Sequence, residues 1–376
     1  MYFIGRRRTI GFLTVKTLFV LGSRSWLVWI TPFLDRLQEN VGYVFDEDSS
    51  PGASARLLET VDRSGASDVI FISHHQTLSR DAAVGCQLDT RGAGTFVYQP
   101  SRVVNLATDK RRMAEIAREV PGASVIKELT FAEACGRLTG ASPRPVVVKN
   151  PGLTEGHGFT IVTDPTALRS SLERSANGNA DLLVQPFVEG DEFSVNVAVV
   201  RGRSWVFPPV WKGRNSTLEW LHPSRRTRLC PAPQDRQLAA KRLAALATTY
   251  CRLCGASGLA ELEFIVDDEG QIWFLEINPR LAATVRMNSM ASKPDIFSAL
   301  LDLASAPRGA KNSHAAVAAY TREVPLKPDL PLSKLMEAFR FPEYSFSTRA
   351  CTVSGRTAYE LDTNYGRLKD GIRALS

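Results

Sequence analysis

Several features that would settle a function at once are missing from this sequence. It has six cysteines in 376 residues and no regular framework among them, which argues against a disulfide-stapled secreted domain. Cys251 and Cys254 form the only CxxC pair, at the end of a stretch (238–253) with helical periodicity. One such pair makes neither a zinc site nor a disulfide scaffold, and core packing is the preferred reading. No apolar run approaches the ~20 residues of a membrane span. No basic block is interleaved with aromatics, so the net charge of +7 does not read as a nucleic-acid surface. A basic excess suits small anionic substrates. There is no internal repeat and no low-complexity tract. Residues 1–16 carry Arg6, Arg7, Arg8 and Lys16, but Lys16 interrupts the apolar stretch and no small-residue cleavage site follows. A weakly ordered extension is expected there, and a reducing, cytoplasmic setting for the whole.

What is present is most specific between Glu261 and Arg280. Two alternating apolar runs flank an acidic, Gly-ended turn, a hairpin signal. With Glu269-Gly270 as a two-residue loop, Glu263 lies opposite Glu276 and Glu261 opposite Asn278. On the other face Leu262 pairs with Ile277, Phe264 with Leu275 and Val266 with Trp273. A one-residue slip would break that sorting. Two carboxylates and an amide oxygen on one face, with Arg280 just past the strand, suit Mg²⁺ and a polyphosphate.

Along the chain, short apolar runs at 17–22, 42–45, 68–73 and 94–98 alternate with helical stretches such as 26–38. That pattern predicts a small parallel α/β domain over 17–104. A single helix is expected over 105–119. Strands at 146–149, 159–163 and 182–184 with helices 131–139 and 165–175 then indicate an α+β region with a mainly antiparallel sheet. Strands at 193–200 and 204–207 form a hairpin around Arg201-Gly202, and a helix covers 235–253. Units at 105–185, 186–305 and 306–376 follow, the last with periodicity too weak to show a core.

Two further motifs carry chemistry. Lys149 ends a strand and leads into a loop containing Gly152, Gly156 and Gly158, where backbone N–H groups turn toward phosphate oxygens and Lys149 adds a point charge. It is neither a Walker loop nor a dinucleotide fingerprint, and a bare flexible turn reads equally well. Gln185, Pro186, Phe187 and Val188 form a connector that presents free backbone groups to a purine edge, followed by Glu192, which can accept from ribose hydroxyls.

In order and spacing these pieces resemble the ATP-grasp superfamily, of the carboxylate–amine (amino-acid or peptide) ligase type, over roughly residues 95–290. Thr108-Asp109-Lys110 resembles the entry to that fold. The resemblance implies an ATP-grasp fold of mixed α/β and α+β class, with a preceding small parallel α/β domain. It implies ATP as cofactor, with Lys110 and Lys149 on the phosphates and the Gly152–Gly158 loop folded over them. Gln185, Phe187 and Val188 would line the adenine pocket, with Glu192 at the ribose. Glu263, Glu276 and Asn278 would hold two Mg²⁺ ions, with Mn²⁺ as a substitute. Arg280 would steady the transferred phosphoryl group. The activity implied is ligation through an acyl phosphate, with release of ADP and phosphate. A purine-pathway synthetase, a carboxyphosphate-forming enzyme, a phosphate-transferring kinase and a non-catalytic nucleotide-binding module stay open. Partners are a small carboxylate and a small amine, with no nucleic acid and no membrane; a homodimer is the default.

The stretch 208–233, with Lys212, Arg214, His222, Arg225, Arg226 and Arg228, reads as a lid that draws in anions or as a solvated basic loop. Lys212 is taken as catalytic. Beyond Arg280 the glycines common in related enzymes are absent, so Arg286 and Asn288 are the candidates for gripping a substrate carboxylate. A surface arginine and a helix-start asparagine is the plain alternative. His74-His75, after a parallel strand, and His157 receive no role.

Overall fold

The computed structural model describes residues 15–37, 40–92, 94–149, 159–176, 182–216, 226–306 and 312–375. The expected glycine loop, His157, His222 and Arg225 lie outside the described residues. The first apolar runs become buried parallel strands β1 (Thr17–Leu21), β2 (Val41–Phe45), β3 (Asp68–Ile72) and β4 (Thr95–Val97), in the order β2-β1-β3-β4. Alternation sorts their side chains. Phe19, Leu21, Ile70 and Ile72 pack against α1 (Leu27–Leu34), while Leu18, Val20, Val69 and Phe71 pack against α2 (Ala53–Ser64) and α3 (Leu78–Thr90). Strand order reverses between β1 and β3, and a doubly wound sheet opens a crevice at the carboxyl ends of such a pair.

The helix expected over 105–119 is two helices. α4 (Ser101–Ala107) stops, and Asp109 accepts a hydrogen bond from the Arg112 N–H at 3.0 Å to start α5 (Lys110–Arg118). An aspartate at that position satisfies one of the free donors of a new helix. Val103, Leu106, Met113 and Ala117 join the main core, and β5 (Ser124–Val125) joins the large sheet. The small lobe therefore begins near Leu129, later than 105. It comprises α6 (Phe131–Thr139), β6 (Val146–Lys149), β7 (Phe159–Val162), α7 (Pro165–Ala176) and β8 (Leu183–Pro186). Its antiparallel sheet runs β7-β6-β8 over a core of Ala134, Leu138, Val146, Val148, Val162, Leu168 and Val184.

The large sheet is built on β9 (Gly190–Val200), which is buried along its whole length. After it come β10 (Arg203–Val206), β11 (Val210–Asn215), β12 (Arg228–Cys230), α8 (Gln237–Cys254), β13 (Gly258–Val266) and β14 (Ile272–Asn278). Part of the stretch read as a lid or loop is thus β11 and β12. Parity along β9 and β13 divides the sheet into faces. Phe193, Val195, Val197, Val199, Ala260, Leu262 and Phe264 meet α5 and α8. On the opposite face Ala198, Val200 and Leu259 pack with the first domain, and Glu192, Ser194, Asn196, Glu261 and Glu263 continue that face beyond them.

Then follow α9 (Val285–Ala291), β15 (Ser292–Lys293), α10 (Ile296–Ser305), β16 (Ser313–His314), β17 (Ala316–Val317), β18 (Tyr320–Pro325), α11 (Leu332–Ala338), β19 (Tyr344–Phe346), β20 (Ala350–Gly355) and α12 (Ala358–Leu375). Where the sequence showed no core, Leu335, Tyr344, Phe346, Cys351, Val353, Leu361 and Leu368 make one. β18 pairs with β12, so the main path of the large sheet reads β19-β20-β18-β12-β11-β9-β13-β14-β5.

Candidate active site

Between these parts lies a cavity of about 710 Å³. One wall is the polar half of the β9–β13–β14 face. Glu261 lies opposite Asn278, Leu262 opposite Ile277 and Glu263 opposite Glu276, as alternation requires. The two pairs expected beyond them are corrected. A β-bulge at Leu275 shifts the register, so Phe264 pairs with Phe274 and Val266 with Ile272. The reason is packing: Phe274 and Ile277, three residues apart, both belong to the main core, which plain alternation forbids. The extra residue leaves Leu275 beside Glu276 on the cavity wall.

Four carboxylates converge on this wall, and their environments differ. Glu192 is buried and binds Lys212 at 2.6 Å and Arg226 at 2.7 Å. The carboxylate expected at a ribose thus lines the cavity already engaged by two cations. Burial works to raise it, but the two cations outweigh this and hold it below the usual range. Lys212 also binds Glu263 at 2.9 Å. Burial disfavours its charge, yet Glu192, Glu263 and Glu261 together hold its pKa above the ordinary lysine value. It serves as a buried counter-ion. Burial pushes Glu263 up to about 8, helped by repulsion from Glu261, Glu276 and Glu192 and resisted by Lys212. Directly opposed like charges destabilise a strand pair, so the Glu263–Glu276 step fits a cation.

Asn278 donates to Glu276 at 3.3 Å and to Glu261 at 3.4 Å. Behind it Thr284 donates to Glu261 at 2.5 Å, and Asn196 donates to Thr284 at 2.9 Å and to Asn288 at 2.7 Å. Among the described residues no three His, Cys, Asp or Glu side chains enclose an ion by themselves. Glu263, Glu276 and Asn278 instead make an open face of hard oxygens, which fits an ion whose shell is completed by water and phosphate.

Cations line the cavity in excess: Lys110, Lys149, Lys212, Arg226, Arg228, Arg280, Arg286 and Arg349 against five glutamates. Most have partners inside the protein. Lys110 lies 3.8 Å from Glu276. Arg286 is buried, bonded to Glu323 at 2.6 Å and Thr352 at 2.9 Å, and Arg228 reaches the other oxygen of Glu323 at 2.8 Å. Lys149 and Arg280 have no carboxylate partner among the described residues. Burial, reinforced by Lys110, lowers Lys149 to about 8, the state of an ammonium waiting for an anion. Among the described residues the Arg280 guanidinium donates to the neighbouring Leu281 carbonyl, at 3.2 Å.

Three expected residues stand apart. Asn288 is wholly buried and donates to the Pro208 carbonyl at 2.8 Å and to Cys230 Sγ at 3.3 Å. It does not line the cavity. Gln185 donates to the Ile126 carbonyl at 3.0 Å, tying the connector down, while Pro186, Phe187 and Val188 line the cavity. Arg286 lines it but is held by Glu323. Sequence reasoning missed Glu323, Thr284 and, from the first domain, Ser25, Trp26 and Trp29, and gave no role to His74, which also lines the cavity. The only available signal for the last was position, at the carboxyl ends of β1 and β3.

The family model described as the carbamoyl-phosphate synthase L chain, ATP binding domain, matches residues 107–308. A D-alanine–D-alanine ligase of Geobacter sulfurreducens is 25% identical over 232 residues, covering 60% of this chain and 72% of its own length. Two solved structures share the fold over nearly the whole chain. An L-amino acid ligase from Bacillus licheniformis superposes with a TM-score of 0.64 at 14% identity, covering 95% of this chain and 98% of its own. An N5-carboxyaminoimidazole synthase from Aspergillus clavatus, bound to ADP and 5-aminoimidazole ribonucleotide, gives 0.68 at 15% identity, covering 96% and 99%.

Proposed function

Because the chain belongs to the family of the carbamoyl-phosphate synthase L chain ATP-binding domain, and so to the ATP-grasp ligases, we propose that it joins a carboxylate to an amine, both amino-acid or peptide-like, with Mg·ATP as the driving cofactor. One observation carries this reading. Lys149 and Arg280, the cations without carboxylate partners, share one cavity with the open oxygen face of Glu263, Glu276 and Asn278.

The chemistry assigns each group a task. Lys110 and Lys149 hold phosphate oxygens of ATP, with Phe187 and Val188 along the base. Glu263, Glu276 and Asn278 would hold Mg²⁺, which would supply positive charge to offset that of the phosphates. A carboxylate oxygen of the first substrate attacks the γ-phosphorus, the β–γ bridge breaks and ADP departs. Arg280 steadies the phosphoryl group in passage. The amine nitrogen then attacks the acyl carbon, the carbon–oxygen bond breaks, and phosphate and a proton leave. The protein's part is positioning and charge neutralisation. Lys212 keeps Glu263 in place, and Thr284 keeps Glu261 and, through it, Asn278.

The test is to supply Mg·ATP with amino acids singly and in pairs and to follow phosphate release and coupled product. Phosphate with a dipeptide-like product, only from a pair, supports the reading. Phosphate released with bicarbonate alone would replace it by carboxyphosphate formation. ATP binding without turnover on any acid or amine would leave a regulatory module.

A further inference from the structure

Resting on that reading, we infer that one of the two amino-acid substrates carries a bulky apolar or aromatic side chain, held against a wall built by the first domain. All five glutamates of the cavity come from the large sheet. Among the described residues the first domain supplies Ser25, Trp26, Trp29 and His74, a surface without a carboxylate, a lysine or an arginine. Trp26 and Trp29 are 8% and 5% exposed, and both line the cavity. The His74 ring meets Trp26 edge-on, with centroids 5.6 Å apart.

The position follows from topology. Trp26 lies just after β1 and His74 just after β3, the strands between which sheet order reverses. The two loops touch at Gly22, where a Cβ would lie 2.6 Å from the His74 backbone nitrogen and press on Thr77 Oγ1. The segment after Arg280 closes the same corner. The Leu281 N–H donates to the Ser73 carbonyl at 3.1 Å, and Leu281, Ala282 and Ala283 line the cavity beside the tryptophans. The small side chains of Ala282 and Ala283 leave room for a large one on the ligand. These residues and the tryptophans bring no charge to the cavity, while the glutamates, lysines and arginines that can grip backbone amino and carboxylate groups come from other positions of its lining. Such a division places a ligand's side chain and its polar end unambiguously.

The test uses the full chain with Mg²⁺ and a non-hydrolysable ATP analogue, titrated calorimetrically with phenylalanine, leucine, alanine and glutamate. Phenylalanine or leucine should bind at least about tenfold more tightly than alanine or glutamate. Trp26→Leu and Ala283→Phe should each reduce that preference to less than about threefold, with nucleotide affinity as in the parent. Alanine or glutamate binding as tightly as phenylalanine in the parent overturns the proposal, as does either variant keeping the preference. Turnover separates the two readings. Phenylalanine binding without phosphate release from Mg·ATP and any amine overturns the ligase and leaves the pocket. Phosphate release driven by alanine or glutamate in preference to phenylalanine keeps the ligase and overturns the pocket.

Discussion

At the residue scale, Lys149 and Arg280 stand out among the cavity cations in forming no ion pair with a carboxylate among the described residues. Lys212 and Arg226 neutralise Glu192, and Arg228 and Arg286 neutralise Glu323. Replacing Lys149 by Met should therefore weaken ATP binding more than it disturbs the fold. The loss of one charge-assisted contact is worth about 1.5–3 kcal/mol, roughly ten- to a hundredfold in Kd, with thermal unfolding close to the parent. Equal ATP affinity in the variant would remove Lys149 from the phosphate site. Glu276→Gln should cut phosphate release by at least ~100-fold and raise the Mg²⁺ concentration needed, since a ligand counts for no less than the groups behind it. Thr284→Val acts one layer further out. It unties Glu261 from Asn196, and outer groups of this kind change metal affinity or rate by about 10–100-fold. The Mg²⁺ dependence of phosphate release is the readout for both.

At the scale of elements, strand parity explains most of what the sequence disclosed. Glu261, Glu263, Glu276 and Asn278 were legible as one face because a strand turns its side chains by turns, and β13 and β14 obey that rule near their site ends. The bulge at Leu275 was not legible. Its cause is the demand of Phe274 and Ile277 for one core, which appears only when α5 and α8 are in place. Helix α5 had a local mark, Asp109 three residues before the donor it caps, but unbroken periodicity hid it. At the start of β9, Gly190 has φ of +155°, and a Cβ there would press on the Val266 carbonyl and lie 2.8 Å from Ile265 Cγ2. Gly190→Ala should cost about 1–3 kcal/mol of stability by overpacking the β9–β13 pair. An unchanged denaturant midpoint would show that the pair yields there.

At the scale of the whole molecule, the last sixty residues escaped the sequence because their core and their purpose are non-local. Glu323 on β18 has no motif around it, yet it joins Arg286 and Arg228 in the cavity wall. Burial works to raise its pKa, but the two arginines outweigh burial and hold it below the ordinary glutamate range. A carboxylate so depressed adds stability above its unfolded pKa, near 4.3, and loses it as pH falls through the folded value. The parent should therefore lose stability as pH drops below about 4.3, while Glu323→Gln should lack this component. Removing the charge leaves two buried guanidinium groups and should cost about 3–5 kcal/mol at pH 7. Denaturant unfolding at pH 7 and pH 4 measures both effects. A variant as stable as the parent at pH 7 would dissociate Glu323 from the docking of the C-terminal strands.

The bond from the Leu281 N–H to the Ser73 carbonyl links the loop that follows the β13–β14 hairpin to the crevice of the first domain. Across that bond lies a division of labour open to evolution and to engineering. Residues 22–29 and 73–77 sit on one side and the glutamates of β13 and β14 on the other, in separate stretches of sequence. A lineage can exchange the first set and acquire a new diet while its phosphoryl chemistry is inherited intact.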